Sequence, residues 1–408
     1  MVAGQLDADT VGRVRSVDAF RGVVMALLLS GTYTLFREGF GIGRMAEAFH
    51  DSFIVNILRT QLSHSSWEGC TVWDLVMPAF IFLVGVAIPF SHARRVRLGG
   101  QPSDMAMHAA FRASVFALLG AVGFIIIGNL AMGRWPQHIN PDFSNVLPQI
   151  GLGYMFAYLT VGKGPLIQIL MATSVLAGDW LAFALYPIQS GSIYPVGLNV
   201  LPEGPGLSGF FTHWSRDANL AADFDRWFLN LLPRTDAYVA NSTGMQTLNF
   251  IPTISTMVFG VLVGELLGKT ISKQAKLSRM IVGSLLGIGI GFALGQSICP
   301  LVKSLWTPSW VLYSTGWVLL AFAGIYWIVE IKGRTGWTFP FVVLGTNSLL
   351  AYIIANVFDR WIIRGWEIVL GKDIFVHDLG GVLQATVAIL SIWSICFVLY
   401  ARGVTIRV

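Results

Sequence analysis

Long apolar stretches recur along the whole chain and limit what it can fold into more than any other feature. A helix needs about 20 apolar residues to cross the ~30 Å hydrocarbon core of a bilayer. Of 408 residues, 54% are hydrophobic and only 12% are charged, and the mean hydropathy is +0.66. The segments that fit a membrane-crossing helix are 17–36, 67–90, 111–132, 146–161, 165–186, 248–268, 280–299, 310–330, 340–358 and 380–401. The sequence therefore predicts an all-α polytopic membrane protein, a single domain over residues 1–408 built as a bundle of about ten transmembrane helices.

The charge distribution predicts how the bundle is oriented. Most of the 27 Lys and Arg residues fall in segments on the same side as the N-terminus, and cytoplasmic loops are the ones enriched in basic residues. No small-x-small cleavage site follows the first apolar segment, so we expect that segment to be retained. The sequence predicts a multi-pass protein of a bacterial-type inner membrane with both termini cytoplasmic. The net charge of +5 is read as a topology signal in a lipid bilayer, so no nucleic-acid partner is predicted.

One long segment lies outside the predicted helices. Residues 187–247 form an extracytoplasmic loop between spans five and six, rich in Pro and Gly at first and acidic and aromatic from Trp214 to Trp227. Such loops often act as lids or substrate-binding elements. A compact loop without a functional role fits the same pattern.

Glycine recurs every four residues in two of the apolar segments, at Gly260, Gly264 and Gly268, and at Gly283, Gly287, Gly291 and Gly295. Spacing by four places these residues on one face of a helix, where small residues allow close helix packing. The second run follows no strand, so it does not indicate a dinucleotide-binding loop. A homodimer through these faces is plausible, and intramolecular packing serves equally well.

The segment before the second span carries the strongest candidate for chemistry. Ser65 followed by Glu68 is a capping box, which predicts a helix that begins at Ser66 with His64 just outside it. The positive helix end would keep the imidazole neutral and able to accept a proton. Asp74 would lie eight residues inside this helix, pointing elsewhere, so no direct contact with His64 is expected. Both are candidate catalytic residues, and a surface histidine and a helix-linking carboxylate are the alternatives.

Further polar or aromatic side chains are predicted to line a cavity on the same side of the membrane. The candidate substrate-binding residues are Trp67, Asn129, Gln149, Asp179, Asn249 and Asn347. Buried amides often only join helices, so each residue alone is ambiguous. No spacing typical of a metal site, a nucleophile elbow or a phosphate loop occurs, and no metal is predicted.

Several motifs point to a known family. They are Arg13 to Gly22 (RVRSVDAFRG), His64 to Phe80 (HSSWEGCTVWDLVMPAF), Val146 to Ile150 (VLPQI), Ile251 to Ile254 (IPTI), Leu305 to Ser309 (LWTPS) and Phe339 to Ser348 (FPFVVLGTNS). Together they resemble the membrane-embedded heparan-α-glucosaminide N-acetyltransferase family over nearly all of residues 13–401. The resemblance implies transfer of an acetyl group from acetyl-CoA to the amine of a terminal glucosamine, with His64 as the catalytic histidine.

The preferred hypothesis is acyl transfer from acetyl-CoA to an amino sugar, with His64 as general base or as acyl carrier. Amide protons of Ser65 and Ser66 at the predicted helix start would stabilise the oxyanion of the donor thioester. The guanidinium groups of Arg13, Arg15 and Arg21 would bind the donor's phosphates, unless they are ordinary membrane anchors. A transporter without covalent chemistry, using His64 and the buried carboxylates, is the alternative class.

Overall fold

The computed structural model describes residues 14–32, 53, 57, 60–136, 138–187, 207–375 and 380–406. Within these ranges the chain is helical and contains no strands, apart from one isolated antiparallel bridge between Glu68 and Val302. The chain divides into two compact units. The first unit comprises Met1–Arg59, Glu265–Val282 and Leu319–Val408, and the second unit comprises Thr60–Gly264 and Gly283–Val318.

The α-helices within these ranges are numbered in chain order. They are α1 Arg15–Thr32, α2 Val76–Arg97, α3 Pro102–Leu118, α4 Phe124–Ala131, α5 Val146–Tyr158, α6 Pro165–Leu185, α7 Leu220–Asn230, α8 Phe250–Gly268, α9 Lys273–Ser297, α10 Pro308–Tyr326, α11 Phe339–Thr346, α12 Ser348–Val357, α13 Asp359–Leu370 and α14 Gly380–Ala401. Short π-helical stretches join α3 to α4 and extend α10 to Ile331.

Seven helical segments in the described part of the chain are long and apolar enough to cross a membrane. They are Trp73–Arg97, Pro102–Ala131, Pro165–Leu185, Thr247–Gly268, Lys273–Ser297, Pro308–Ile331 and Val382–Ala401. The pair Gly336–Thr346 and Ser348–Val357, bent by 65° at Asn347, would make an eighth. An all-helical, multi-pass membrane protein is thus confirmed. The count of ten stays a prediction, because the first and fourth predicted spans are described as helices of only 18 and 13 residues.

Close helix packing explains the glycine runs of the second unit. A Cβ atom added to Gly260 would clash with the carbonyl oxygen of Phe82, and one added to Gly85 would clash with that of Met257. Helices α2 and α8 therefore meet backbone to backbone. Gly291 lies in the same way against the Tyr313 amide of α10. The predicted packing role of the runs is confirmed at these positions, within this chain, and a homodimer stays a prediction.

The described part of the predicted loop 187–247 has secondary structure of its own. A 3₁₀ turn spans Gly209–Trp214, and α7 follows, capped by the Asn219 side chain, which accepts hydrogen bonds from the amides of Ala221 and Ala222. Trp214 is fully buried and stacks on Phe183 of α6. The Pro- and Gly-rich stretch 188–206 lies outside the described residues, and a lid function stays a prediction.

In the first unit, α1 and α11 are in close contact at two glycines. A Cβ atom at Gly345 would clash with the Asp18 carbonyl oxygen, and one at Gly22 would clash with that of Phe341. Asp18 and Arg21 form an i, i+3 ion pair at 3.8 Å. At the break between α11 and α12, the Asn347 side chain donates to the Val404 carbonyl at 3.3 Å and accepts from the Ile406 amide at 2.9 Å.

Candidate functional site

The segment that carries His64 is held by its backbone, not by a helix. Gly69 has φ +118°, which a right-handed helix cannot contain and which glycine adopts without strain. Its amide donates to the Leu301 carbonyl at 2.9 Å, and the neighbouring Glu68 forms the antiparallel bridge with Val302. The predicted capping box and helix start at Ser66 are therefore wrong. A 3₁₀ turn begins at Trp73, and α2 begins only at Val76.

Trp67 anchors this non-helical segment. Its side chain is buried in an apolar cluster with Phe183, Trp214 and Val302. Its indole Nε1 donates to the Trp214 carbonyl oxygen at 3.1 Å. Because the Trp67 ring is packed and its indole N–H is hydrogen-bonded inside the protein, Trp67 holds the chain segment that carries His64 in place. Its predicted contact with substrate stays a prediction.

Asp74 contacts His64 directly, contrary to the expectation from an unbroken helix. Nδ1 of His64 lies 2.7 Å from Oδ1 of Asp74. The second carboxylate oxygen accepts from the amide of Ser65 at 3.1 Å and from the amide and hydroxyl of Thr71 at 3.2 and 3.0 Å. The chain between Ser65 and Thr71 folds around the carboxylate because it is not helical. The Ser65 amide donates to Asp74 in this structure, and its predicted role in stabilising an oxyanion stays a prediction.

Lys303 completes the site, and sequence reasoning missed it. Its Nζ lies 3.0 Å from Asp74 Oδ1 and 3.0 Å from His64 Nδ1. Burial lowers the pKa of Lys303, while the negative charge of Asp74 acts in the opposite direction. The signal in the sequence was a single charged residue inside an otherwise uncharged stretch, 298–309. The backbone contacts of Glu68 with Val302 and of Gly69 with Leu301 bring that stretch to His64.

The contacts indicate which nitrogen of His64 is available. Ionised Asp74 has only acceptors and lies closer to Nδ1 (2.7 Å) than Lys303 does (3.0 Å), so the Nδ1 proton is assigned to the bond with Asp74, and Lys303 donates to the carboxylate. Nε2 then carries a free lone pair. The side chain of His64 is 59% exposed, whereas that of Asp74 is 1% exposed. The arrangement therefore presents one basic nitrogen to solvent and holds the ring from behind.

The nearby cysteine does not compete as a nucleophile. Burial raises the pKa of the Cys70 thiol to about 12, and the charge of Asp74 acts in the same direction. The reactive form of cysteine is the thiolate, which this environment suppresses at neutral pH. In the described part of the chain, no group of three His, Cys, Asp or Glu side chains is placed to hold a metal ion.

Two predicted substrate residues support the site from behind. Asn249 donates to the Ser304 carbonyl at 2.8 Å, next to Lys303. Gln149 donates to the carbonyls of Phe143, Gln246 and Thr247 at 2.8, 3.1 and 3.3 Å. Both side chains are buried. Gln149 thus joins α5 to the 3₁₀ turn Thr247–Asn249 before α8, and Asn249 joins that turn to the segment that carries Lys303. The predicted contacts of both amides with substrate stay predictions.

The remaining predicted residues are not brought to His64 by any described contact. Asn129 donates to the Ile125 carbonyl of its own helix at 2.8 Å, and Asp179 is buried in α6. Asn347, Arg15 and Arg21 belong to the first unit, and Arg13 lies outside the described residues. Ser66 lies in a bend beside Trp67. Their predicted roles in substrate or donor binding stay predictions.

Fold and site together define a multi-pass helical membrane protein with an oriented histidine at one end of a transmembrane helix. No protein-family model matches the chain. The chain is 24% identical over 432 residues to human heparan-alpha-glucosaminide N-acetyltransferase, covering 96% of this chain and 59% of that protein. The mouse protein of the same name is 23% identical, with 96% and 60% covered. The chain thus spans about three fifths of the length of these proteins, and it is a relative of their family.

Proposed function

We propose that this protein is an acyltransferase that moves an acetyl group from acetyl-CoA to an amino sugar such as a terminal glucosamine, with His64 as general base. The observation that carries the proposal is the free, exposed Nε2 of His64 opposite an Nδ1 that Asp74 holds at 2.7 Å. The names of the human and mouse relatives give the reaction class. Acetylation of an amine needs a base that accepts the proton the amine loses, and His64 supplies that base.

The proposed chemistry begins when the acceptor amine attacks the thioester carbonyl. Nε2 of His64 takes the proton that the amine loses, the carbon–sulfur bond breaks, and the imidazolium returns the proton to the leaving thiolate. General base catalysis of this kind contributes about 10²–10⁴ in rate. Asp74 stabilises the imidazolium while it exists, and Lys303 with the Ser65 and Thr71 amides keeps Asp74 ionised and in place.

The same nitrogen would serve the acyl-carrier route, in which Nε2 itself attacks the thioester and an acyl-imidazole forms. Release of CoA before acceptor addition distinguishes that route from direct transfer. A transporter is not favoured. The buried charges of the site, Asp74 and Lys303, bind each other, and the relatives are named as transferases.

We propose that the protein lies in a bacterial-type inner (cytoplasmic) membrane with both termini in the cytoplasm. Support comes from α2, which begins beside His64 and ends at Arg94, Arg95 and Arg97. Basic residues mark the cytoplasmic end of a span, so His64 would face the opposite side. The acetyl donor, made in the cytoplasm, would then have to reach through the protein to His64.

The test is release of free thiol when the purified full chain is mixed with acetyl-CoA and glucosamine. We expect His64→Ala to reduce the rate at least a hundredfold. His138→Ala removes an exposed imidazole elsewhere in the second unit and should leave the rate unchanged. No thiol release with any amino-sugar acceptor, together with no thermal shift on addition of acetyl-CoA, would overturn the proposal. Equal activity of His64→Ala and wild type would overturn the role of the histidine.

A further inference from the structure

A second polar cleft lies at the other end of α2. It is formed by the ends of α2 and α5 and the first half of α3, all within the second unit. It is a shallow cleft that is open to solvent, and the about 220 Å³ of empty space between its side chains includes the solvent at its mouth. Its polar lining includes His92, Arg95, His108, Arg112, Tyr154 and Tyr158. Each of the three helices contributes two of these residues. The two are three or four positions apart in sequence, which places both side chains on one face of their helix.

The charge of this cleft is positive, with no acidic residue in the lining. No described carboxylate lies within ion-pair distance of Arg95 or Arg112, in a region where the structure describes all residues from 60 to 187 except 137. His108 lies within electrostatic range of both guanidinium groups. Gathering these groups is unfavourable unless an anion offsets their repulsion.

The donors of the cleft are held in place yet incompletely used. Arg112 lies over the Tyr154 ring at 5.4 Å and reaches the Ser91 hydroxyl at 3.5 Å, while its Nε is buried and makes no hydrogen bond to the described residues. The Tyr158 hydroxyl lies 3.1 Å from Nδ1 of His92. When Tyr158 donates that bond, Nε2 of His92 carries a proton and becomes a further donor.

We propose that this cleft binds a phosphate group. Arginine forks, imidazole N–H groups and hydroxyls are the donors that match phosphate oxygens, and arginine binds them in a bidentate manner. A monocarboxylate would leave most of these donors unused. The site is distinct from the His64 site and its binding is measured without turnover, so it does not depend on the proposed acetyl transfer.

The position of the cleft indicates which molecules could present the phosphate. Helix α2 has 22 residues, about 33 Å at ~1.5 Å per residue, so the cleft and His64 lie near opposite faces of a ~30 Å membrane. Val96, Leu98, Met107 and Phe111 nearby are exposed apolar side chains that suit contact with lipid. The phosphate would therefore come from a membrane phospholipid headgroup or from a soluble molecule such as the donor CoA.

Calorimetric titration of the full chain in non-ionic detergent with inorganic diphosphate tests the site. We expect Arg95→Gln and Arg112→Gln each to weaken binding about tenfold. Arg94→Gln and Arg97→Gln remove the same charge from the same helix end but do not line the cleft, and should change affinity less than about twofold. If Arg112→Gln fails to fold because its stacking on Tyr154 is lost, Arg95→Gln still decides.

Competition separates the two sources of phosphate. CoA that displaces diphosphate, where pantetheine does not, supports a soluble ligand. Displacement of diphosphate by phosphatidic acid in mixed micelles with the detergent, where phosphatidylcholine does not displace it, supports a lipid. The proposal is overturned if wild type binds none of these probes, or if Arg94→Gln weakens diphosphate binding as much as Arg95→Gln. His64→Ala should bind diphosphate as wild type does, which keeps this result separate from that for acetyl transfer.

Discussion

Asp74 and Asp225 are both almost completely buried in the second unit, yet their surroundings differ. Asp74 accepts hydrogen bonds from Ser65, Thr71 and His64 and pairs with Lys303. Asp225 accepts a backbone bond from Thr247 at 2.9 Å, while its Oδ1 is buried and makes no hydrogen bond in the described part of the chain. Burial, with repulsion from Asp142 as a smaller cause, raises the pKa of Asp225 to about 6.

The difference teaches what makes a buried carboxylate usable as a charge. Taking a carboxylate out of water favours its neutral form unless enough donors replace the water. Asp74 has both oxygens occupied by donors, so its charge can orient His64. Asp225 has too few donors, so it binds a proton at a pH where an exposed carboxylate does not. The number and kind of hydrogen-bond donors around each carboxylate, more than its depth of burial, account for the difference between Asp74 and Asp225.

The largest expected effect is on turnover. Asp74→Asn keeps the shape but supplies an amide, which can hold the wrong tautomer of His64 and leaves Lys303 without its counter-charge. We expect thiol release from acetyl-CoA to fall about 10³–10⁴-fold, as for the equivalent change in a serine-protease triad. Asp225→Asn is the matched control, and its rate should stay within about threefold of wild type. Equal losses in the two variants would show that Asp74 has no special role.

A smaller effect is expected on stability. Lys303→Met removes one partner of a buried pair, which typically costs about 3–5 kcal/mol in free energy of unfolding. The double variant Asp74→Asn with Lys303→Met should lose less than the sum of the single variants, because no unpaired charge remains buried. Thermal unfolding of the four proteins in one detergent measures this coupling. Strictly additive losses would mean that the two side chains do not interact.

Asp225 makes stability depend on pH. Its folded pKa of about 6 lies above the ordinary value of about 3.9, so the folded state binds the extra proton between these values. The contribution is therefore most favourable below pH 4, is lost as pH rises to about 6, and amounts to about 2–3 kcal/mol. Asp225→Asn should flatten the change in melting temperature over this range. An unchanged pH dependence in Asp225→Asn would assign the effect to other groups.

The smallest effect concerns the backbone that holds Asp74 in place. Gly69→Ala forces a side chain into φ +118°, while the added Cβ has space, with Ser65 at 3.8 Å as its nearest neighbour. We expect about 1–3 kcal/mol of strain. Gly289→Ala, in helix α9 with nothing within 4 Å, is the control and should be neutral or slightly stabilising. Melting temperatures of the two variants decide, and equal values would exclude strain at Gly69.

Sequence reasoning found the membrane helices and the two central side chains because both signals are local. An apolar run, or a carboxylate in an apolar segment that follows a histidine, can be recognised within a stretch of about 25 residues of sequence. It failed where a distant segment overrides a local preference. The Ser65 and Glu68 pattern favours a helix, but pairing of Glu68 with Val302 and burial of Trp67 against Trp214 prevent it. Lys303 was missed for the same reason, since nothing near it in sequence points to His64.

The bridge between Glu68 and Val302 also determines when, during synthesis, the His64 site can form. His64 and Asp74 are synthesised early, whereas the main chain that aligns them and the lysine that neutralises the carboxylate leave the ribosome more than 200 residues later. Chains are made from the N-terminus, so His64 cannot take up its position beside Asp74 and Lys303 until most of the second unit has been inserted. A chain that stops early, or that inserts a helix in the wrong orientation, therefore lacks the proposed catalytic site.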